Sequence, residues 1–342
     1  MATKSITTYP DLQSAYADES MYKDEASLID TMMRKHPILM HANVMQCNQG
    51  MSHKMSVLTG LPEAYFVKYY QGHTASAATR VIVDEGISLL KSTSIVDSDF
   101  LEALCGDDIN KQRDMCMKEA AHNLEAMASK IEYNIFYGDK SKNPAEFTGL
   151  TPRFNHKHGS LSSNQIIDAG GNQNLNTSIW FVTWGNDKTS LLYPKDSMAG
   201  ISSRFLPQQN VDTGAGKSFQ GNRTIFTWQA GLAVADWRYV VRIAGIQIDD
   251  STYSAFDPYL YMREAYYAHQ SRHDKSEGTY IYCNSDIMQI MDRWNVNAIS
   301  GDDHIRLRPG NELQGKEVKT YRDIPIIECP QIKRKESNLQ GI

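Results

Sequence analysis

From Asp108 to Tyr137 the chain contains neither glycine nor proline, thirty residues free of the two strongest helix breakers. Apolar residues recur there at Ile109, Cys116, Ala120, Leu124, Met127, Ile131 and Ile135, in steps of three, four and seven that line one face of an α-helix. Asp107 and Asp108 stand where a carboxylate can cap the first unpaired N–H groups, and Gly138 and Pro144 follow where a helix should stop. At 1.5 Å per residue the rod is roughly 45 Å long, several times the usual three-turn helix. The segment that leaves it, NIFYGDKSKNPAEFTGL from Asn134 to Leu150, is the most informative stretch for function.

A chain of 342 residues can bury a real core and hold two or three subdomains. With 41% hydrophobic and 10% aromatic residues it is not disordered. A formal charge of -5 and a pI near 6.1 argue against a nucleic-acid binder that works by counterion release from a lysine and arginine surface. Cys47, Cys105, Cys116, Cys283 and Cys329 are scattered without a C-x-x-C pair or zinc spacing, so they read as buried or free thiols in a reducing compartment. The first residues, MATKSITTYPDLQ, lack the apolar core of a secretion signal, and no run of about 18 apolar residues occurs. Cytoplasmic synthesis and no membrane span are expected.

Along the chain, Met1 to about Cys47 reads as a polar arm with one short helix, Glu25 to Lys35, ending before Pro37. From Met51 to about Asp97 the chain is β-rich, with strands expected at Ala64 to Gln71 and Arg80 to Val96 around the small-residue bend Gly72 to Ser76. A projecting hairpin of this kind is marginal alone in water and must lie on another surface; in an assembly, that surface belongs to a neighbouring subunit. Ile166 to about Gly221 reads as loops with one buried strand, SIWFVTWG. Thr224 to Ile248 is the strongest β signal, with breaks expected near Gly231 and Gly245. Tyr259 to Arg272 and Ser285 to Trp294 carry helical periodicity around a strand at Thr279 to Cys283, and a last strand spans Glu317 to Glu328, where Pro325 marks an edge or the end of its pairing.

Chemistry-bearing motifs are sparse. Thr213-Gly214-Ala215-Gly216-Lys217-Ser218 ends like a phosphate-binding loop, but Val211 stands where that motif needs its first glycine. His269 and His273 have metal spacing without the expected general base, since Gln270 and Ser271 follow the first histidine. His156 and His158 flank Lys157 in a polar loop without a third ligand, and Asp249-Asp250 and Asp302-Asp303-His304 belong to no nucleophile, base and orienter set. A solvated helix end explains His269 and His273, and surface turns explain the carboxylates.

The order of arm, hairpin, long helix and YGD-x6-EF-x-GL junction carries a family likeness. Tyr137-Gly138-Asp139, Asn143-Pro144, Glu146-Phe147 and Gly149-Leu150 resemble the post-helix junction of coat proteins from short-tailed phages. Thr177-Ser178-Ile179-Trp180, Trp184-Gly185, Tyr193-Pro194-Lys195 and Ala199-Gly200, then Gly231-Leu232-Ala233-Val234, Asp236 and Arg238 to Ile243 resemble the blocks that follow. End to end the chain resembles major capsid proteins of tailed double-stranded DNA bacteriophages with the Hong Kong 97 type fold. The resemblance implies an α+β fold of this type: an N-terminal arm (1–50), an extended hairpin loop (51–97), a spine helix and peripheral domain (98–165), an axial domain with peripheral-domain strands (166–303), and a returning strand with the C-terminal tail (304–342). It implies a structural protein and no enzyme, forming hexamers and pentamers of an icosahedral shell in the virion around double-stranded DNA, with a portal protein and a separate scaffolding protein as partners and no cofactor or metal. A container wall need only enclose a genome, so the acidic charge is compatible with this. The hairpin residues Phe66, Lys68, Tyr70, His73 and Arg80 are its candidate assembly contacts. Some relatives join subunits through a lysine to asparagine bond, for which Lys68 is the candidate lysine. The rival readings are a cellular compartment shell of the same fold and a soluble metal-dependent enzyme built on His269 and His273.

Overall fold

The apolar stripe folds as one helix, Ile109–Tyr137, in the computed structural model, which describes residues 35–106, 108–171, 175–197, 200–212, 218–248, 256–274, 278–297, 308–309 and 319–339. The Asp108 carboxylate accepts from the N–H groups of Asn110 at 3.1 Å and Lys111 at 3.4 Å, satisfying two donors that a helix start leaves unpaired; Asp107 lies outside the described residues. Ala120, Leu124, Met127, Ile131 and Ile135 are all buried. The helix closes with the Gly138 N–H donating to the Asn134 carbonyl at 3.0 Å, and the chain folds back so that the Gly149 N–H reaches the Gly138 carbonyl at 2.8 Å. A Cβ on Gly138 would stand 2.4 Å from the Phe147 carbonyl, and one on Gly149 would stand 2.4 Å from that of Asn134. No side chain fits at either position, so the two glycines of the junction are fixed by backbone contact. Asp139 and Asn143 cap its tight turns through the N–H groups of Ser141 and Ala145, while Phe147 and Leu150 anchor it in the core.

This helix lies in the first of two compact units, composed of Met1–Gln46, Ile87–Pro152 and Leu191–Leu232. Its sheet has the strand order Val44–Gln46, Thr189–Tyr193, Ser218–Val234, Ser88–Asp97, with Ile201–Asp212 also paired to Ser218–Val234. The pairing of Ser88–Asp97 is antiparallel and unbroken from Ser88 opposite Ala230 to Asp97 opposite Gly221. Near the start of the described chain, His36 Nδ1 lies 2.7 Å from Glu132 Oε2, with both side chains buried, and Lys35 reaches Glu125 at 2.7 Å. Two contacts therefore tie the end of the arm to the long helix. Pro37 begins the short helix Pro37–His41, because proline suits the first helical turn, and Lys35 before it is helical. The expected helix from Glu25 lies, apart from Lys35, outside the described residues.

The second unit comprises Cys47–Gly86, Arg153–Ser190 and Ala233–Ile342. Its main sheet runs Arg308–Pro309, Lys319–Tyr321, Ile324–Glu328, Thr279–Cys283, Asn176–Thr183, Val240–Gln247, Ile166–Asp168. Asn176–Thr183 is buried at all eight positions. On the sheet pack the helices Pro258–Ala268 and Ser285–Asn297, through Met262, Ala265, Ile287, Ile290 and Met291 against Ile179, Phe181, Val241, Ile243 and Ile281. Within the sheet layer, Arg242 is buried and donates to the Phe154 carbonyl at 2.8 Å, Glu336 Oε2 at 2.8 Å and Ser178 Oγ at 3.1 Å. A buried guanidinium is tolerable when its donors are met in this way, and the Glu336 N–H, bonded to the Asn176 carbonyl at 2.9 Å, stitches the C-terminal segment to the central strand.

Several expectations are corrected. The segment read as loops with one strand holds Ile166–Asp168, Thr189–Tyr193 and the twelve-residue Ile201–Asp212 besides Asn176–Thr183. Ile201–Asp212 is polar because residues 202–205 and 208–210 face solvent, yet its backbone is held by the neighbouring strand. The long β signal is not broken at Gly231, which lies inside Ser218–Val234, but after Val234, where Trp237–Tyr239 forms a 3-10 turn. Gly245 does mark an irregularity, with φ of 70° at the bulge between Ile243 and Ile246, a conformation that glycine adopts without strain. Pro325 is the second residue of Ile324–Glu328; it stands opposite Thr320 in the short antiparallel pairing with Lys319–Tyr321 and precedes the parallel pairing, which begins at Ile326, so it marks the end of that ladder.

Candidate assembly interface

In the second unit the strands Ser52–Gly60 and Thr79–Gly86 pair with each other in a two-stranded sheet. The antiparallel register runs from Ser52 opposite Gly86 to Gly60 opposite Thr79, slipping between Leu58 and Gly60. The expected first strand is thus displaced. Ala64 to Gln71 is irregular, and Arg80 to Val96 divides into Thr79–Gly86, which belongs to the hairpin, and Ser88–Asp97, which belongs to the other sheet. The aromatic residues that gave the β signal lie instead in the connecting loop. Pro62 lacks the N–H that a continuing ladder would need.

Residues 61–82 are exposed without exception. They include Phe66 at 110% and Tyr70 at 109% relative exposure, with Leu61, Tyr69 and Ile82 also strongly exposed. Tyr70 has a φ of 67°, an uncommon conformation for an aromatic residue, at a turn closed by the Gln71 N–H donating to the Lys68 carbonyl at 3.1 Å. Ser76 Oγ donates to the Glu63 carbonyl at 2.9 Å, joining the two limbs of the loop. The Tyr65 hydroxyl donates to the Glu63 carboxylate, and that bond raises the phenol above its ordinary value. Phe66, Lys68, Tyr70, His73 and Arg80 therefore all lie on one exposed element.

The root of the hairpin is built differently. Arg153 grips the buried Glu85 with both terminal guanidinium nitrogens, Nη2 to Oε2 at 2.8 Å. Asn48 clasps the backbone of Lys54 twice, donating to its carbonyl at 2.6 Å and accepting its N–H at 2.9 Å. Val57 is buried as well. A fastened root, a paired stem and an apolar, water-exposed tip make an element suited to contact with another molecule, because large exposed apolar patches on folded proteins mark interaction sites. Sequence reading did not find the Glu85–Arg153 pair, whose members lie 68 residues apart with no local motif to join them.

The histidines proposed for a metal do not come together. His269 is at a helix end but not a solvated one: it is the buried C-cap of Pro258–Ala268, with Nδ1 2.7 Å from Ser271 Oγ and Nε2 donating to the Tyr239 carbonyl at 2.9 Å. Burial pushes its pKa down to about 4. His273 is exposed on the next short helix, and His156 and His158 are exposed in their loop. Among the described residues no group of three metal-ligating side chains converges. Residues 213–217 and the pairs Asp249-Asp250 and Asp302-Asp303 lie outside the described residues. Asp212 opposes Ser218 across two antiparallel strands, whereas a phosphate-binding loop leads into a helix.

Residues 21–340 match the family model of the major capsid protein GP7. A chain of the bacteriophage Epsilon15 structure, derived from cryo-EM and modeling, is similar at 26% identity with a TM-score of 0.61, over 84% of this chain and 84% of that one. A chain of the bacteriophage JBD30 procapsid is 10% identical, covering 91% of this chain and 100% of its own, at a TM-score of 0.42. One from Mycobacterium phage Adephagia is 12% identical over 58% of this chain and 84% of its own, at 0.41. No curated protein matches the chain.

Proposed function

The chain belongs to the family of the major capsid protein GP7, and from that premise we propose that its coat is an icosahedral shell of hexamers and pentamers enclosing double-stranded DNA. That it is a structural coat protein of a phage virion follows from the family and from the likeness to Epsilon15. The finer assignments are proposals: the Hong Kong 97 type architecture, hexamers and pentamers, a portal, a separate scaffolding protein and assembly in the host cytoplasm. In that architecture the hairpin is the extended loop lying over an adjacent subunit, Ile109–Tyr137 is the spine of the peripheral domain, and the seven-stranded sheet forms the axial domain. The returning strand joins that sheet, so we group it with the axial domain.

One observation carries the reading: the apolar tip, residues 61–82, is exposed throughout and finds no cover among the described residues. Many modest interfaces supply cohesion, since contacts of about 1,600 Å² repeated with several neighbours hold a particle even when each is weak. No helix among the described residues is long and apolar enough to cross a membrane. Electron microscopy of the protein expressed with its phage's assembly partners tests the proposal. Closed shells of uniform size containing DNA are expected. Open sheets, amorphous aggregate or shells filled with protein cargo would contradict it.

A further inference from the structure

In the second unit three guanidiniums gather around one exposed aromatic ring. Tyr267, near the end of Pro258–Ala268, is 55% exposed. The Arg272 guanidinium lies 5.0 Å over its ring, and that of Arg322 lies 5.3 Å over it and 4.6 Å over Tyr266. Arg263, one helical turn earlier on the same face, is exposed. Arg322 also donates to the Tyr267 hydroxyl, and this bond, followed by the charges of Arg322, Arg272 and Arg263, lowers the phenol below its ordinary value. Among the described residues no carboxylate forms an ion pair with any of the three arginines.

The backbone supports the same reading. Lys319–Tyr321 and Ile324–Glu328 are joined by Arg322 and Asp323, whose φ angles are 48° and 66°. A two-residue turn of this hand is ordinarily made by Asn-Gly or Asp-Gly, and glycine would hold it without strain. The chain instead places an arginine there, aimed over three tyrosines, Tyr266, Tyr267 and Tyr321. Stacking occupies the faces of a guanidinium and leaves its in-plane N–H groups to bond. Arg272 Nη2 meets His273 Nε2 at 2.9 Å and Arg322 meets the Tyr267 hydroxyl, which leaves the remaining donors for an anion. A single fork satisfies a carboxylate, whereas several charged forks together suit the multiple oxygens of a phosphate.

We propose that Arg263, Arg272 and Arg322 around Tyr267 form a phosphate-binding site that engages the backbone of the enclosed nucleic acid. This rests on the reading that the shell encloses DNA. It makes contact with the genome local, on a chain whose net charge of -5 opposes a general attraction.

The test is fluorescence anisotropy of a labelled 20-base-pair duplex titrated with purified subunit from about 50 to about 200 mM salt, comparing wild type with Arg322→Gly, Arg263→Gln and the exposed Lys140→Gln as control. Each arginine removed should reduce the slope of log affinity against log salt by about 0.9, so that the loss across this fourfold salt range shrinks about threefold. Lys140→Gln should leave the slope unchanged. Glycine accepts the φ of Arg322, so Arg322→Gly is expected to melt like wild type while losing duplex affinity. Slopes equal to wild type in both arginine variants overturn the site. So does a Tyr267 fluorescence response to inorganic phosphate at constant ionic strength with duplex binding unaltered in the variants, which marks a free-phosphate site. Loss of shells with unchanged duplex binding overturns it too, and assigns the cluster to a subunit contact. Shell formation by the wild-type protein is scored separately by microscopy. Its failure sinks the assembly reading, and normal shells with unaltered duplex binding sink only the phosphate site.

Discussion

Replacing Arg153 by alanine should loosen the hairpin without unfolding the subunit. The guanidinium meets both oxygens of Glu85, with side-chain exposures of 19% for Arg153 and 11% for Glu85. Breaking a fully buried pair costs about 3–5 kcal/mol because a charge is left uncompensated, and a solvent-exposed pair is worth about 0–1 kcal/mol. At these exposures the loss should be about 2 kcal/mol, roughly a 30-fold shift in an equilibrium. It should fall on local opening, because a two-stranded sheet has little stability of its own. Hydrogen exchange would then accelerate roughly 30-fold at the amides of Ser52–Gly60 and Thr79–Gly86, with no change in Asn176–Thr183. The double replacement Arg153→Leu with Glu85→Leu should recover most of the protection, since removing both charges leaves nothing unpaired. Equal exchange in wild type and Arg153→Ala, or an acceleration spread evenly over the central sheet, would refute the role given to this pair.

Two other perturbations address the core. Ala121→Pro, within Ile109–Tyr137, removes a helix hydrogen bond and clashes with the preceding turn at a cost of about 3 kcal/mol or more. Insoluble protein is expected, and soluble protein with wild-type melting would contradict the helix's structural role. His269 has a folded-state pKa near 4 against an ordinary 6.5. The unfolded chain therefore binds the extra proton between these values, and stability present above about pH 6.5 is lost as the pH falls toward 4. At about 1.4 kcal/mol per pH unit this amounts to about 3 kcal/mol. The half-buried His41 has its pKa lowered to about 4 as well and loses stability in the same window, so thermal melts should show a steep acid decline in wild type and a shallower one in His269→Gln. Identical profiles would refute the assignment.

The long helix was legible because every level agreed: an apolar stripe, an aspartate cap and two glycines where the backbone returns. The hairpin was legible as an element but not in its register. Ser52–Gly60 has few buried positions, so it shows little of the alternation that reveals a half-buried strand. Tyr65, Phe66, Val67, Tyr69 and Tyr70 imitate a strand by composition while lying in a loop. Ile201–Asp212 was hidden for a related reason, as its pairing is dictated by Ser218–Val234 and not by its own residues. The candidate contacts on the tip lie close together in the sequence and are all exposed, whereas Glu85 with Arg153 and Arg322 with Tyr267 are products of tertiary folding.

Centrally, we propose that the tip of the hairpin serves neighbouring subunits and not its own. Deleting Phe66 to Ala78 and comparing melting and electron micrographs with wild type tests it most directly. A soluble protein with an unaltered melt that forms no closed shells is expected. Shells of normal size and number from the deleted protein would contradict it.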